Sequence, residues 1–443
     1  MSISLLRSCG IALLLASAGC SADEADAGRK AVVRDSAGVR IVENRDPVWT
    51  SETRWTVDSL PSVTIGVEEG DPQREFFRLT DARRLSDGRI VAANASSNEL
   101  RYFSGEGDYL CTSGRQGAGP GEFERLAWLQ LLPHDTLLVY SADGAGRLSV
   151  FSPEGHFVRT LTVPRAGDGR YASPRGMLRS GALLVSFGRG YGVGVPSGTY
   201  RDSVSLVVHR GDSTIATIGP LPSMESVVVA TGNSMSVTGV IFGRYLVSGI
   251  GPDGFLVGSN ERYELSRYDT LGRLTGSIRL DRPLTPVTAS AIAEVESARL
   301  ASSSNANERA RNEAFFKQMQ FPPTMPAYGR VLVDSEGNIW VSRYSVLPGA
   351  GVWDVFDADG QLLGELQLPP RFNPRQISGS WLVGTSRDEL EVERVQVHAL
   401  RKGSAGHEGR PAPAAVGAGE DEIVPSEYRA CAVTVMREES PRP

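Results

Sequence analysis

At 443 residues the chain has room for two or three ordinary domains or for one large all-β unit. Its formal net charge is −6 with both signs spread along the chain, which excludes the clustered basic face of a nucleic-acid binder. Glycine is abundant, at 49 residues, as many tight turns require, and after residue 20 no apolar run is long enough to span a bilayer.

The first twenty residues read as a secretory signal. Arg7 precedes a short apolar core, Ile11-Ala-Leu-Leu-Leu-Ala-Ser-Ala-Gly-Cys20, which ends in small residues. Small residues before a cysteine resemble a bacterial lipobox, although Ser17 stands where leucine is commonest. Lipidation of Cys20 is therefore expected, with plain cleavage as the alternative, and residues 21–34 would be a tether. Cys9 leaves with the signal, so Cys111 and Cys431 remain among the 4 cysteines. Without CxxC spacing they make neither a disulfide framework nor a zinc site. A bridge between them is compatible with export, but a free, buried Cys111 is the expectation.

From Leu79 onward one pattern recurs: a short apolar segment, a turn, then a stronger β run. Leu85-Ser-Asp-Gly-Arg-Ile-Val91, Leu178-Arg-Ser-Gly-Ala-Leu-Leu-Val185 and Ile250-Gly-Pro-Asp-Gly-Phe-Leu-Val257 are examples, in a series of six. Asp-Gly and similar pairs between apolar runs mark tight hairpins, because the turn needs residues that accept positive φ. A second hairpin follows most of them, as in Val150-Phe-Ser-Pro-Glu-Gly-His-Phe157 and Val355-Phe-Asp-Ala-Asp-Gly-Gln-Leu362, but only five times. The connector Gly114-Arg-Gln-Gly-Ala-Gly-Pro-Gly-Glu-Phe123 has an echo at Gly66–Phe76, directly after Ser62-Val-Thr-Ile65. That N-terminal strand is therefore the missing outer strand of the last unit. Four strands fit in about 40–50 residues of a propeller blade. The first turns lie 42–47 residues apart except for two gaps of 73 and 83, which carry insertions. The prediction is an all-β fold: a single six-bladed β-propeller over residues 35–402, closed by pairing between its N- and C-terminal strands.

The opening Asp35-Ser-Ala-Gly-Val-Arg-Ile-Val-Glu-Asn44, the Gly-x-Gly-Pro-Gly-Glu-Phe connector ending at Phe123, and Val333-Asp-Ser-Glu-Gly-Asn-Ile-Trp-Val341 resemble bacterial six-bladed β-propeller lipoproteins, relatives of NHL-repeat proteins. The resemblance implies the fold and an envelope address, and little about activity.

Residues 284–326 break the repeat and read as a helical insertion, with one helix over 289–300 and a second over about 307–319 stopped by Pro322-Pro323. It is expected to pack on the flank or cover one face; a moving lid is the alternative. The tail, 403–443, is rich in Gly, Ala, Pro and Glu and is expected to be disordered.

In a propeller the inter-blade connectors and the second-to-third-strand loops share one rim, and loops are where a rigid scaffold carries function. The two longest rim loops are Gly/aromatic-rich, so Arg189, Tyr191, Arg343 and Tyr344 are candidate ligand contacts. The 5 histidines show no metal-ligand spacing, and no Gly-x-Ser-x-Gly elbow is present. The enzymatic alternative is a calcium-dependent, lactonase-type hydrolase with Asp81, Asn94, Asp143 and Asn260 offering oxygen at the channel mouth. The leading expectation is a monomeric, lipid-anchored binding protein without a cofactor, taking an envelope protein, peptide or glycan through that rim, with no nucleic-acid partner.

Overall fold

In the computed structural model the described residues are 31–142, 146–165, 170–191, 195–231, 234–346 and 350–403. The signal segment with Cys20, Asp143 and residues 404–443 of the tail lie outside them. The strands form six antiparallel-built sheets that follow one another along the chain, and the architecture is a β-propeller. Four sheets start at Leu79, Leu126, Val331 and Asn373; the third and fourth start at Tyr171 and Val247 and carry extra strands.

Each expected first hairpin is made by its turn residues. At the first, Gly88 has φ +94°, Leu85 N–H donates to Arg89 O, and Asp87 Oδ1 accepts from Arg89 N–H at 3.0 Å. The second hairpin of the fourth sheet uses an aspartate in the same way, with Asp269 Oδ1 accepting from Leu271 and Arg273 N–H, each at 2.9 Å, while Ser104 Oγ takes that place in the first sheet. Such side-chain-to-backbone bonds fix the turn and hence the register of the strands beside it.

Strand residues that face outwards from a sheet must bury against the next sheet, and the core accordingly divides into layers. Val91, Tyr102 and Leu137 lie between the first and second sheets, Leu138, Val185 and Phe187 between the second and third. Leu184, Leu206 and Phe255 join the third to the fourth, Ile278, Leu265 and Val341 the fourth to the fifth, and Trp340, Val355 and Leu382 the fifth to the sixth. The last layer runs from sixth to first: Val383 and Val395 pack with Ile90, Phe103 and Ile65. Val63–Ile65 is hydrogen-bonded to the sixth sheet in antiparallel register, with Val63 opposite Val397 and Thr64 opposite Gln396. The N-terminal strand thus occupies the place its sequence context indicates.

The chain before this strand wraps the outside. Ala31–Ser36 and Val39–Asn44 form a hairpin whose second strand runs parallel to Leu274–Leu280, so the fourth sheet has six strands. Strand structure therefore already includes residues assigned to the tether. Trp49 and Trp55 then cross the fifth sheet towards Trp340, and Thr56–Val57 pairs with Leu400 and Arg401 of the sixth.

The two long repeat intervals fill two protrusions. Gly198–Arg210 and Ser213–Thr231 extend the third sheet as a long hairpin that Ser234–Gly239 completes. Between the fourth and fifth sheets stand helices α1 (Ala289–Ala301) and α2 (Ala306–Gln318). Thr288 Oγ1 caps α1 by accepting from Ala291 N–H, and Asn305 Oδ1 caps α2 by accepting from Glu308 N–H. Val295, Phe315, Phe316 and Met319 pack on Val227, Val240, Ile241 and Phe242, so the two insertions share one apolar layer.

Cys111 is disulfide-bonded, contrary to the expected free thiol; its partner lies outside the described residues. Spacing along a chain gives no measure of approach in space, which is why the sequence argument failed here.

Candidate functional site

The innermost strand of every sheet borders one central channel, where a cavity of about 600 Å³ is lined by residues of all six. Each innermost strand is entered from a connector and ends at an Asp-Gly-type turn. The lining runs from mid-strand residues such as Asp81 and Arg375 to turn residues such as Pro133, Gly181, Pro252 and Ser335. The cavity therefore opens on the turn rim, opposite the connector rim on which the sequence reading placed a site.

Its inner part is rich in arginine. Arg83 donates from Nη2 to Leu129 O at 2.9 Å and to Asp81 Oδ2 at 3.1 Å. It also donates to Arg375 O, so one side chain links the first, second and sixth sheets. Arg375 lines the cavity, and its Nε is buried with no hydrogen-bond partner. Burial lowers its pKa, with nearby Asp81 opposing and Arg83 reinforcing the shift. Arg330 is pushed down to about 10 by burial first and then by Arg375. Arg175 lines the cavity as an exposed side chain, and among the described residues its guanidinium bonds Ser186 Oγ at 3.3 Å. Enclosure by the channel wall lowers its pKa as well. Three guanidiniums, of Arg83, Arg175 and Arg375, thus line the cavity with one free-standing carboxylate, Asp81. Arg330 lies behind them with its guanidinium donating to Asn373 Oδ1 and Pro374 O, and the other acid of the lining, Asp334, is turned into its own hairpin. There it accepts from Asn338 Nδ2 and Trp340 Nε1.

Two glutamines set the wall. Gln130 Nε2 donates to Met177 O and its Oε1 accepts from Met177 N–H, both at 2.8 Å. Gln376 does the same to Arg84, at 3.2 and 2.8 Å. Each amide replaces the missing ladder between innermost strands of neighbouring sheets, which splay apart from a common axis. Gly176 permits one of these bridges, since a Cβ there would stand 2.8 Å from Gln130 Oε1.

The residues proposed from sequence as metal ligands have other duties. Asp81 Oδ1 accepts from Ala82 N–H at 2.9 Å and Oδ2 from Leu129 N–H at 3.1 Å. Asn94 Oδ1 accepts from Phe77 N–H, and Asn260 Oδ1 from Tyr245 N–H, each at 3.0 Å. Asn94 ends a second strand and Asn260 stands two residues beyond one, and each clamps the connector entering the same sheet. Ser141 and Ser342 hold Arg125 and Arg330 N–H in the same way. Among the described residues no group of three or more His, Cys, Asp or Glu could hold a metal ion.

The four rim candidates are split between two places. Arg189 is exposed just beyond Leu183–Gly188, and the Tyr191 ring lies 5.6 Å from that of Tyr200. Arg343 pairs with Glu365, which also accepts from Arg282. Tyr344 belongs to the layer under the helices: its hydroxyl accepts from Phe242 N–H at 3.1 Å, and burial pushes its pKa up to about 12. Among the described residues no hydrogen bond or ring contact joins the two pairs.

Comparison with protein-family models finds no match, and none of the curated proteins matches. Solved structures do. A protein described as exported, from Bacteroides fragilis, is 11% identical over 82% of this chain and 99% of its own, with a TM-score of 0.44. A member of the DUF4221 family from Bacteroides vulgatus is 10% identical over 80% and 100%, with a TM-score of 0.48. The virginiamycin B lyase of Staphylococcus aureus is 9% identical over 78% and 99%, with a TM-score of 0.36.

The channel residues were overlooked in the sequence although a signal exists. Arg83, Gln130, Arg175, Arg375 and Gln376 all stand one to three residues before the apolar residue that opens a first turn, on strands that a ring must turn towards its axis. A polar residue recurring at that offset marks the lumen.

Proposed function

We propose that the protein is a non-enzymatic binding β-propeller of the bacterial cell envelope, exported by its leader and held there by lipid on Cys20. Its ligand enters the central channel from the turn rim. The observation that carries this is the cavity of about 600 Å³ built from all six innermost strands, a size typical of small-molecule sites. Against the hydrolase alternative weighs the engagement of Asp81, Asn94 and Asn260 by backbone N–H groups, which gives each of them a structural role. No helix among the described residues is long and apolar enough to cross a membrane. The connector rim, where Arg189 is exposed, is the surface proposed for an envelope protein, peptide or glycan.

Ligand-observed NMR with a mixture of small fragments tests the channel. Ser248→Trp fills the lumen from an innermost strand and should abolish saturation transfer while leaving the circular dichroism spectrum unchanged. Equal transfer in both proteins would place binding elsewhere. For the anchor, labelled palmitate should be incorporated into the native protein and not into Cys20→Ser.

A further inference from the structure

Resting on the channel as the ligand site, we infer that the ligand carries an oxyanion, a carboxylate or a phosphate, bound between Arg175 and Arg375. Three features of the cavity lead there. Arg175 reaches into the lumen from the third sheet and Arg375 from the sixth, so the two cations approach a common space from separate walls. Arg375 keeps a buried Nε–H with no acceptor, and an unmet donor of a charged group in an enclosed site is costly unless something supplies the acceptor. Arg83 adds positive charge in the lining, Arg330 stands close enough behind it to act on Arg375 electrostatically, and the nearest carboxylate, Asp81, already has both oxygens engaged.

Guanidinium groups suit planar or tetrahedral oxyanions because their N–H bonds form a fork that matches two oxygens. Nearer the mouth the lining turns apolar, with Met177, Leu131, Ile250, Leu332 and Val333. A ligand with an anionic head and an apolar body fits that gradient, head inward. The channel is thereby selective by charge in a protein whose net charge is −6, so steering by the whole molecule opposes entry and the local arginines must supply the attraction. Capture should accordingly be slow for an anion and sensitive to salt.

Calorimetric titration of the mature protein with benzoate, phenyl phosphate and their neutral counterparts benzamide and phenol provides the test. Benzoate or phenyl phosphate should bind at least about tenfold more tightly than its neutral partner. Which of the two wins tells carboxylate from phosphate. The preference should vanish in Arg175→Gln, whose side chain has little structural duty, and in Arg375→Gln, while Arg189→Gln on the opposite rim should leave it intact. Neutral probes that bind as well as the anions, in a manner blocked by Ser248→Trp, would overturn the anion assignment and spare the channel. An anion preference that survives Arg175→Gln would also overturn it. Failure of every probe to bind would remove both readings.

Discussion

Asp354 is fully buried, and its charge is met from two directions. Arg282 donates to its two oxygens at 2.6 and 2.9 Å, and the Tyr263 hydroxyl donates at 2.7 Å. Burial, then the Asp354 carboxylate, hold the Tyr263 phenol well above its usual pKa, which keeps it a donor throughout the physiological range. Such a triad adds little net stability when intact but is expensive to break, because the survivors are left desolvated and unpaired. Asp354→Ala should lower unfolding stability by about 3 kcal/mol in denaturant titration, with an unchanged slope. A loss below about 1 kcal/mol would show that Arg282 recovers fully through Glu365 and solvent. His398 makes a different kind of prediction. It is buried, its Nδ1–H donates to Asp58 O at 2.9 Å, and burial lowers its pKa below the ordinary 6.5. The unfolded chain therefore binds the proton more readily than the folded one, so the neutral ring's contribution is complete above pH 6.5 and is lost as pH falls below it. Unfolding midpoints measured from about pH 7.5 down to about pH 5 should fall less steeply for His398→Asn than for the native protein. Parallel profiles would remove His398 as the cause.

Among the elements, hairpins were the most legible part of the sequence because their turns use residues with one dominant physical reason to be there. Gly88, Asp87 and Asp269 do what their types suggest. The helical insertion was legible too, since Thr288 and Asn305 cap it and Pro322-Pro323 ends it. What the sequence concealed was which neighbour each element meets. Tyr344 looked like a free aromatic of a rim loop, yet it is covered by a layer made of two insertions separated by more than forty residues. Asn94 and Asn260 looked like open oxygen donors, and each carbonyl accepts an N–H from a connector. The insertion's ends lie side by side, with Val287 N–H donating to Pro323 O and Met325 N–H to Thr285 O. Residues 288–322 can therefore be replaced by a short Gly-Ser link without stretching the ring. Val227, Val240, Ile241 and Phe242 would lose their cover and form an exposed apolar patch. The expected outcome is a folded protein with native-like strand content that binds a hydrophobic dye and self-associates in analytical ultracentrifugation. Full unfolding would instead make the helices part of the indispensable core.

For the molecule as a whole, one short strand decides whether the six sheets act together. Each sheet shares an apolar layer with the next, and the pairing of Val63–Ile65 with the sixth sheet, continued by Thr56–Val57, joins that series end to end through the backbone. The approach is close: at Gly66, φ +134°, an added Cβ would lie 2.6 Å from Glu393 O and 3.0 Å from the Arg394 Cα. Neither neighbour is a flexible tip that can step aside, so a methyl group must push the strand away from the sheet. Gly38 offers a control for the crowding, because its φ of +80° also favours glycine, though less strongly than +134°, while nothing lies within 4 Å of its Cβ position. Gly38→Ala should therefore cost only the backbone strain, about 1 kcal/mol, and should act locally on the outer hairpin. Gly66→Ala adds overpacking to that strain and should cost at least about 2 kcal/mol. Its signature lies in where the loss is felt. In hydrogen exchange, amides of Val63–Ile65 and of Val395–Val397 should lose protection together, followed by the layer between the sixth and first sheets, while the third and fourth sheets keep theirs. If both alanine variants behave alike, or if protection falls evenly around the ring, then closure rests on side-chain packing between the end sheets and the strand is only an ornament on it.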